Sequence, residues 1–282
     1  FVAISSLTAT NLKTLIPHRT HDILVRPCSV IDKPPVLSRQ YSQANEPIRL
    51  MYAGRIQNQQ KRIYDLLILA RILKQRQLSF CLDFFGGGSE KDWLQKQFEK
   101  MILPGDFATV RFYDCVPHED MMLHWRNSDI CVLVSDFEGT SISMLEAMSC
   151  GCIPIVTKVS GTKAVIREGI NGFTVPIGAM EVMADKIEAL MQDRLKLQQT
   201  GQAAYDSVAD RFSFDSYLEW FDQIRREIWQ KSPRQWSLGR TILPDRFQPP
   251  PPPTLLQRVK NKIARKVYQT TLALKIQGIL TS

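Results

Sequence analysis

Glu138 and Glu146 stand eight positions apart in the stretch FEGTSISMLEAMSCGCIPIV (137–156), and Gly139, Thr140 and Ser141 follow the first of them directly. One carboxylate can accept two vicinal hydroxyls at once, as from a ribose or a hexose, and each charge-assisted bond contributes about 1.5–3 kcal/mol. Gly139 lets backbone come close to a ligand. A helix that starts just after it offers unpaired N–H groups and roughly half a positive charge, which suits an anion. A plainer reading fits the same residues. Ser143-Met-Leu-Glu146 matches the S-x-x-E box that caps a helix start, and Glu138 could be a solvated loop charge. Spacing alone does not choose between them.

A second cluster lies in MYAGRIQNQQKRIYDLL (51–67). A strand-like run ends at Gly54, Arg55 follows at once, and Lys61 comes six residues later at a helix start. Arg offers phosphate oxygens a planar fork and Lys a point charge, so two cations at these places suit a diphosphate. Solvated surface charges would look the same. The third cluster, Gly86-Gly87-Gly88 in FFGGGSEKDWL, does not spell G-x-G-x-x-G and reads as a tight turn before it reads as a cofactor loop. Cys28, Cys81, Cys115, Cys131, Cys150 and Cys152 include one close pair, C-x-C, without a second Cys/His pair at metal spacing. Buried free thiols in a reducing compartment are the expectation.

These residues need a scaffold, and the chain supplies one. Strand-like runs at 48–54, 78–86, 109–116, 129–135, 152–157 and 172–176 alternate with helix-like runs at 61–76, 90–101, 118–128, 141–149, 161–169 and 179–192. Strands separated by single helices must pair in parallel through right-handed crossovers. The fold class expected is α/β, a doubly wound parallel Rossmann-like sheet of about six βα units. Ligands bind such sheets beyond the carboxyl ends of the strands, and all three clusters fall just after strands.

With 282 residues, 44% hydrophobic and 23% charged, the chain suits about two soluble domains, and no apolar run nears the roughly 20 residues of a membrane span. FVAISSLTAT has neither an initiator Met nor a basic n-region, so it reads as a strand entered midway rather than a signal peptide, and a missing front is expected. The expected division is 1–45, the remnant of an amino-terminal domain with its linker; 46–205, the Rossmann-like domain; 206–230, a packing helix whose stripe is Phe214, Tyr217, Leu218, Phe221 and Ile224; 231–253, a stiff linker ending in Pro249–Pro253; and 254–282, a basic tail. The tail holds Arg258, Lys260, Lys262, Arg265, Lys266 and Lys275 with no Asp or Glu, so it carries +6 of the net +8. The body therefore makes no case for nucleic acid. Leu255, Leu256, Val259, Ile263, Val267 and Leu274 recur at helical spacing between those cations, which suits an anionic membrane surface. A helix docked on protein, or a solvated arm, fits the tail as well.

Taken together the residues resemble the retaining GT-B glycosyltransferases of the family 4 type, the glycosyl transferases group 1, in their carboxy-terminal donor-binding domain. The resemblance covers about residues 46–225 and rests on Gly54-Arg55, Lys61, Gly86–Gly88, Phe112 to His118, Ser135 to Gly139, and Glu146 in LEAM, the E-x7-E signature. Gly151-Cys-Ile-Pro154 and Gly161…Glu168-Gly-Ile-Asn171-Gly172 extend it. It implies that Arg55 and Lys61 hold the donor's diphosphate, that Glu146 binds the ribose and Glu138 the transferred sugar, and that the N–H groups of Gly139, Thr140 and Ser141 face sugar and phosphate. Val116 and Ile142 match positions that line the nucleobase. Glu138, Arg55 and Lys61 are then the catalytic set, with no metal and no cofactor beyond the nucleotide-diphosphate sugar, since Arg and Lys replace the ion and Asp-x-Asp is absent. The acceptor implied is a carbohydrate or lipid-linked molecule. The location expected for the chain, from its thiols and its tail, is cytoplasmic, with peripheral contact to a membrane's inner face through 254–282 as one reading of that tail. Cys28-Ser29 stands where Asn-Gly is usual, Asp114 replaces a glycine, and Arg62 follows Lys61 where a small residue is common. With most of an amino-terminal domain missing, the expectation is a chain that binds donor but transfers weakly or not at all alone. The alternatives are a non-catalytic nucleotide-sugar-binding or membrane-tethering module, and an epimerase or phosphorylase of the same fold.

Overall fold

The computed structural model describes residues 1–29 and 39–230. At the front, β1 (Val2–Ala3) pairs in parallel with β2 (Leu24–Val25), and α1 (Ser6–Leu15) with a 3-10 turn (Pro17–Asp22) makes the crossover. Ser5 caps α1 by accepting the Thr8 N–H, 3.2 Å away. Ala3, Ala9 and Ile23, with Leu12 and Ile16 against them, give this piece a small apolar centre of its own.

The main sheet holds β3 (Ile48–Ala53), β4 (Phe80–Phe85), β5 (Ala108–Tyr113), β6 (Ile130–Leu133), β7 (Ile153–Thr157) and β8 (Phe173–Val175). Every pair is parallel, in the order β5-β4-β3-β6-β7-β8. The chain steps outward from β3 to β5, then returns to lay β6 on the other side of β3. Helices on both faces bury every residue of β6 and β7, which explains their unbroken apolar runs. The crossovers are α2 (Asn58–Lys61) with α3 (Tyr64–Gln75), α4 (Lys91–Met101), α5 (His118–Arg126), α6 (Ile142–Ser149), and a 3-10 turn (Thr162–Ala164). Then follow α7 (Met180–Gln192), α8 (Arg194–Arg211) and α9 (Phe214–Gln230).

The doubly wound sheet expected from the sequence is therefore present. Four details differ. The run 61–76 is not one helix, because Arg62 takes a left-handed conformation (φ 44°) that ends α2 and lets α3 start afresh. Only a 3-10 turn forms within 161–169, where Asn171 captures the Arg167 N–H at 2.6 Å and gives its own amide to Val165 O at 3.1 Å. Helix α8 falls where no helix was expected, so α9 begins at Phe214 rather than 211. Its apolar stripe does not pack as expected: Phe214, Leu218 and Phe221 are exposed, and α9 is tied instead by Arg26, which donates to Ser216 O at 3.0 Å and to Ser216 Oγ at 2.8 Å and lies over the Trp220 ring. The Pro-rich stretch 231–253 and the basic tail 254–282 lie outside the described residues. Among those described, no helix is long and apolar enough to cross a membrane.

Candidate active site

Where strand order reverses, between β3 and β6, two loops leave the sheet side by side at its carboxyl edge, the place such sheets bind ligands. On the first, Gly54 continues the ladder by donating to Phe85 O at 3.0 Å, and Ile56 N–H donates to Gly87 O at 2.9 Å. The glycine triplet makes this contact possible. A Cβ on Gly86 would stand 2.2 Å from Gly54 O, and one on Gly88 2.1 Å from Ile56 O. Gly86 and Gly88 thus let two loop backbones lie against each other, a sharper version of the turn reading. Arg55 projects outward and donates to Gln60 Oε1 at 2.8 Å, while the buried Tyr52 hydroxyl donates to Arg55 O at 2.7 Å. Burial first, and the nearby Glu138 charge second, push the Tyr52 phenol above its ordinary range and keep it a donor.

The second loop runs from Ser135 to Gly139 and is held by the first. Asp136 N–H donates to Gln60 O at 2.9 Å, the Gln60 amide donates to Phe137 O at 3.0 Å, and Arg62 reaches Asp136 at 3.1 Å while forking onto Asp65. Lys61 Nζ meets Glu138 Oε1 at 2.5 Å, and Ser135 Oγ donates to the same oxygen at 2.8 Å. Glu138 is only 14% exposed. It is not a solvated loop charge. From the far side Ser160 Oγ donates to Glu138 O at 2.9 Å, and Thr157 Oγ1 to Ser135 O at 2.7 Å.

Ser141, not Ser143, caps α6, accepting the Met144 N–H at 3.4 Å. The capping-box reading of Glu146 is therefore wrong: its side chain faces α5, with Oε1 3.5 Å from His118 Nδ1. Burial raises the Glu146 pKa; the His118 charge and the indole N–H of Trp125 partly offset it. That indole N–H is buried and, among the described residues, has no acceptor at normal hydrogen-bond geometry, so its help to the carboxylate is a weak one. Val116, half-buried, lies just ahead of α5, and Ile142, exposed, opens α6 one helical turn before Glu146. No described residue accepts the backbone N–H groups of Gly139, Thr140 and Ser141. The front piece rests on this turn: Thr140 Oγ1 donates to Ile4 O at 2.8 Å, and a Cβ on Gly139 would meet Ile4 Cδ1 at 2.5 Å.

The structure thus joins Lys61 to Glu138 directly and Arg55 to the same loop through Gln60, and it sets Glu146 against His118. Among the described residues no three His, Cys, Asp or Glu side chains gather as a metal set. Gln60, Ser160 and Ile4 were not visible as site residues. Each acts through a contact distant in sequence, and their types carry no signal.

A six-stranded, doubly wound sheet with a cation-carboxylate pair at its switch point defines an α/β architecture that hosts many chemistries, and comparison narrows it to a family. Residues 36–207, more than half the chain, match the family described as glycosyl transferases group 1, and the chain belongs to that family. It is 28% identical over 140 residues to poly(glycerol-phosphate) alpha-glucosyltransferase of Bacillus subtilis, covering 49% of this chain and 20% of that protein. It is 30% identical over 190 residues to the putative glycosyltransferase EpsD of the same organism, covering 67% of this chain and 47% of that one. The chain thus spans about half the length of such relatives, or less. In fold it matches Anabaena HepE in complex with UDP and glucose, at TM-score 0.65 and 17% identity over 82% of this chain and 62% of that one. A Staphylococcus aureus TarM variant solved with UDP gives TM-score 0.66 and 21% identity over 78% of this chain and 43% of that one.

Proposed function

We propose that this chain carries the donor site of a retaining glycosyltransferase that uses a nucleotide-diphosphate sugar. The observation that carries the reading is the Lys61–Glu138 pair, held by Ser135 and connected through Gln60 to Arg55 at the sheet's switch point. Family membership and relatives named as glucosyl- and galactosyltransferases support it, as does the UDP bound in solved structures of like fold.

In this reading Arg55 and Lys61 take up the charge that accumulates on the diphosphate as the bond from the anomeric carbon to the phosphate oxygen breaks toward an oxocarbenium-like state. Glu146 accepts the ribose hydroxyls, Glu138 accepts hydroxyls of the transferred sugar, and the N–H groups at 139–141 face sugar and phosphate. Val116 and Ile142 flank the base. The two fixed cations supply the charge a metal would otherwise bring, so the proposed chemistry is metal-independent. Departure and attack on one face of the sugar give retention, and the acceptor class proposed is a carbohydrate or a lipid-linked carbohydrate. Removing one preorganised group aimed at developing charge typically costs about 2.7–4 kcal/mol of barrier, or roughly 10²–10³ in rate.

Two measurements test this. A thermal-shift panel of UDP-, GDP- and ADP-sugars should show stabilisation by one base class. Glu138→Ala and Glu146→Ala in the active protein should each lower turnover by about a hundredfold or more, on the scale of a lost transition-state contact. Near-normal turnover in both variants would defeat the assignment.

A further inference from the structure

Three consecutive residues of α2 and its end, Gln60, Lys61 and Arg62, each grip the loop Asp136–Glu138. Gln60 does one thing more. Its side-chain oxygen accepts from Arg55 Nη2 at 2.8 Å while its side-chain nitrogen donates to Phe137 O at 3.0 Å. The orientation of this amide is dictated by its neighbours, because a guanidinium can only donate and a carbonyl can only accept. Among the described residues, Gln60 is thus the side chain that touches both the outward cation and the carboxylate-bearing loop.

Resting on the donor-site reading above, we infer that Gln60 is a positioning residue that sets Arg55 and the Glu138 loop in one register, so that the group holding the diphosphate and the group holding the sugar are aligned together. Arg55 is exposed and has no ion-pair partner among the described residues; Gln60 is the side chain that aims its fork. Glu138 follows the carbonyl of Phe137 directly, so the Gln60 tether fixes the peptide from which the carboxylate springs. A neutral amide suits both tasks. It steers the guanidinium without spending its charge, and so leaves that charge for phosphate oxygens.

The test is a double-mutant cycle on the active protein, with Gln60→Met, which keeps length and bulk, combined with Arg55→Ala. Three quantities are read: the Kd for free UDP, GDP or ADP, whichever the intact protein binds, the kcat and KM for the matching sugar nucleotide, and the melting temperature. Gln60→Met should weaken nucleoside diphosphate binding about tenfold, the loss of one hydrogen bond to a charged group. In the Arg55→Ala background it should weaken that binding no further, since Gln60 acts on the diphosphate through Arg55. Its kcat should still fall in that background, because the Phe137 tether is also gone. Unchanged affinity and turnover in Gln60→Met, or affinity losses that add in the double variant, would overturn the inference. So would losses that only follow the melting temperature. If the intact protein binds none of the three diphosphates, the donor-site reading fails and this inference falls with it; binding that Gln60→Met leaves intact defeats the role of Gln60 alone.

Discussion

Glu146 is pulled two ways. Its side chain sits under α5 and loses water, which favours the protonated form, while His118 and the Trp125 indole favour the carboxylate; burial is the larger effect and the pKa is raised. A carboxyl whose folded pKa lies above its unfolded value stabilises the fold at pH below the unfolded pKa, and that stability is lost as pH rises through the folded pKa. In the proposed donor site Glu146 accepts hydrogen bonds from ribose hydroxyls, a task the ionised form does best. Nucleoside diphosphate affinity should therefore rise with pH just above the ordinary Glu range, while Glu146's contribution to the stability of the unliganded protein declines over the same window. Calorimetric titration from acid to neutral pH should show that rise in the wild type and its loss in Glu146→Gln. Parallel curves for the two proteins would mean that Glu146 is not the titrating contact. Spacing alone left the two glutamates open between a sugar contact and a cap or surface charge, and it was the resemblance to the glycosyl transferases group 1 that singled them out. Their partners were not legible. Lys61 read as a phosphate cation, and its pairing with a carboxylate 77 positions away depends on β3 and β6 being neighbours, which follows from the return of the chain rather than from local pattern.

Elements constrain the same loop by how closely they approach. Gly161 has an ordinary φ of −71°, so its glycine is not demanded by backbone conformation. It is demanded by space: a Cβ would lie 1.2 Å from Gly139 O and 3.1 Å from Thr140 N. The turn after β7 is pressed against the Gly139–Thr140 peptide, one residue beyond Glu138. Gly161→Ala should push that peptide away, costing about 1–3 kcal/mol as overpacking does, and its loss of turnover should exceed what the stability change explains. Gly105→Ala is the comparison. Its site is open but at φ 94°, so strain alone should lower the melting temperature and leave kinetics untouched. Equal kinetic loss in the two variants would show that the close approach at Gly161 has no special bearing on the site. The strand cores were readable from their apolar runs, whereas this turn was not. Its 161–169 segment has helical periodicity, but the Asn171 amide takes the Arg167 N–H and closes the backbone on itself first.

At the scale of the molecule, the far end of the sheet does the opposite work from the site. Asp129, fully buried at the start of β6, accepts from Arg49 Nη2 at 2.7 Å and Nε at 3.0 Å and from the N–H groups of Ser42 and Arg49. It fixes the segment that leads into β3 against β6, the pair whose carboxyl ends carry the two site loops. Arg39 adds to this clamp by donating to Cys150 O at 2.9 Å and stacking 4.1 Å from the Tyr41 ring. Tyr41 in turn explains why α8 escaped detection. Gly201 looks like a helix breaker in sequence, yet a Cβ there would lie 2.0 Å from the Tyr41 hydroxyl, so the glycine admits a buried ring against a continuous helix. Such a requirement exists only once β7, α8 and the linker are assembled. Removing Asp129 leaves Arg49 beside an emptied, buried acceptor site. Asp129→Ala should cost about 3–5 kcal/mol, the penalty for leaving the buried Arg39 guanidinium, 3.7 Å from Asp129, without its carboxylate, and lower the melting temperature by roughly 6–20 °C. Because the clamp lies at the amino end of the strands and the loops proposed to hold the donor lie at the carboxyl end, the extra stabilisation by saturating nucleotide sugar should survive in the fraction that folds. A small loss of melting temperature with a large loss of that increment would place Asp129 in the site's energetics rather than in the fold's.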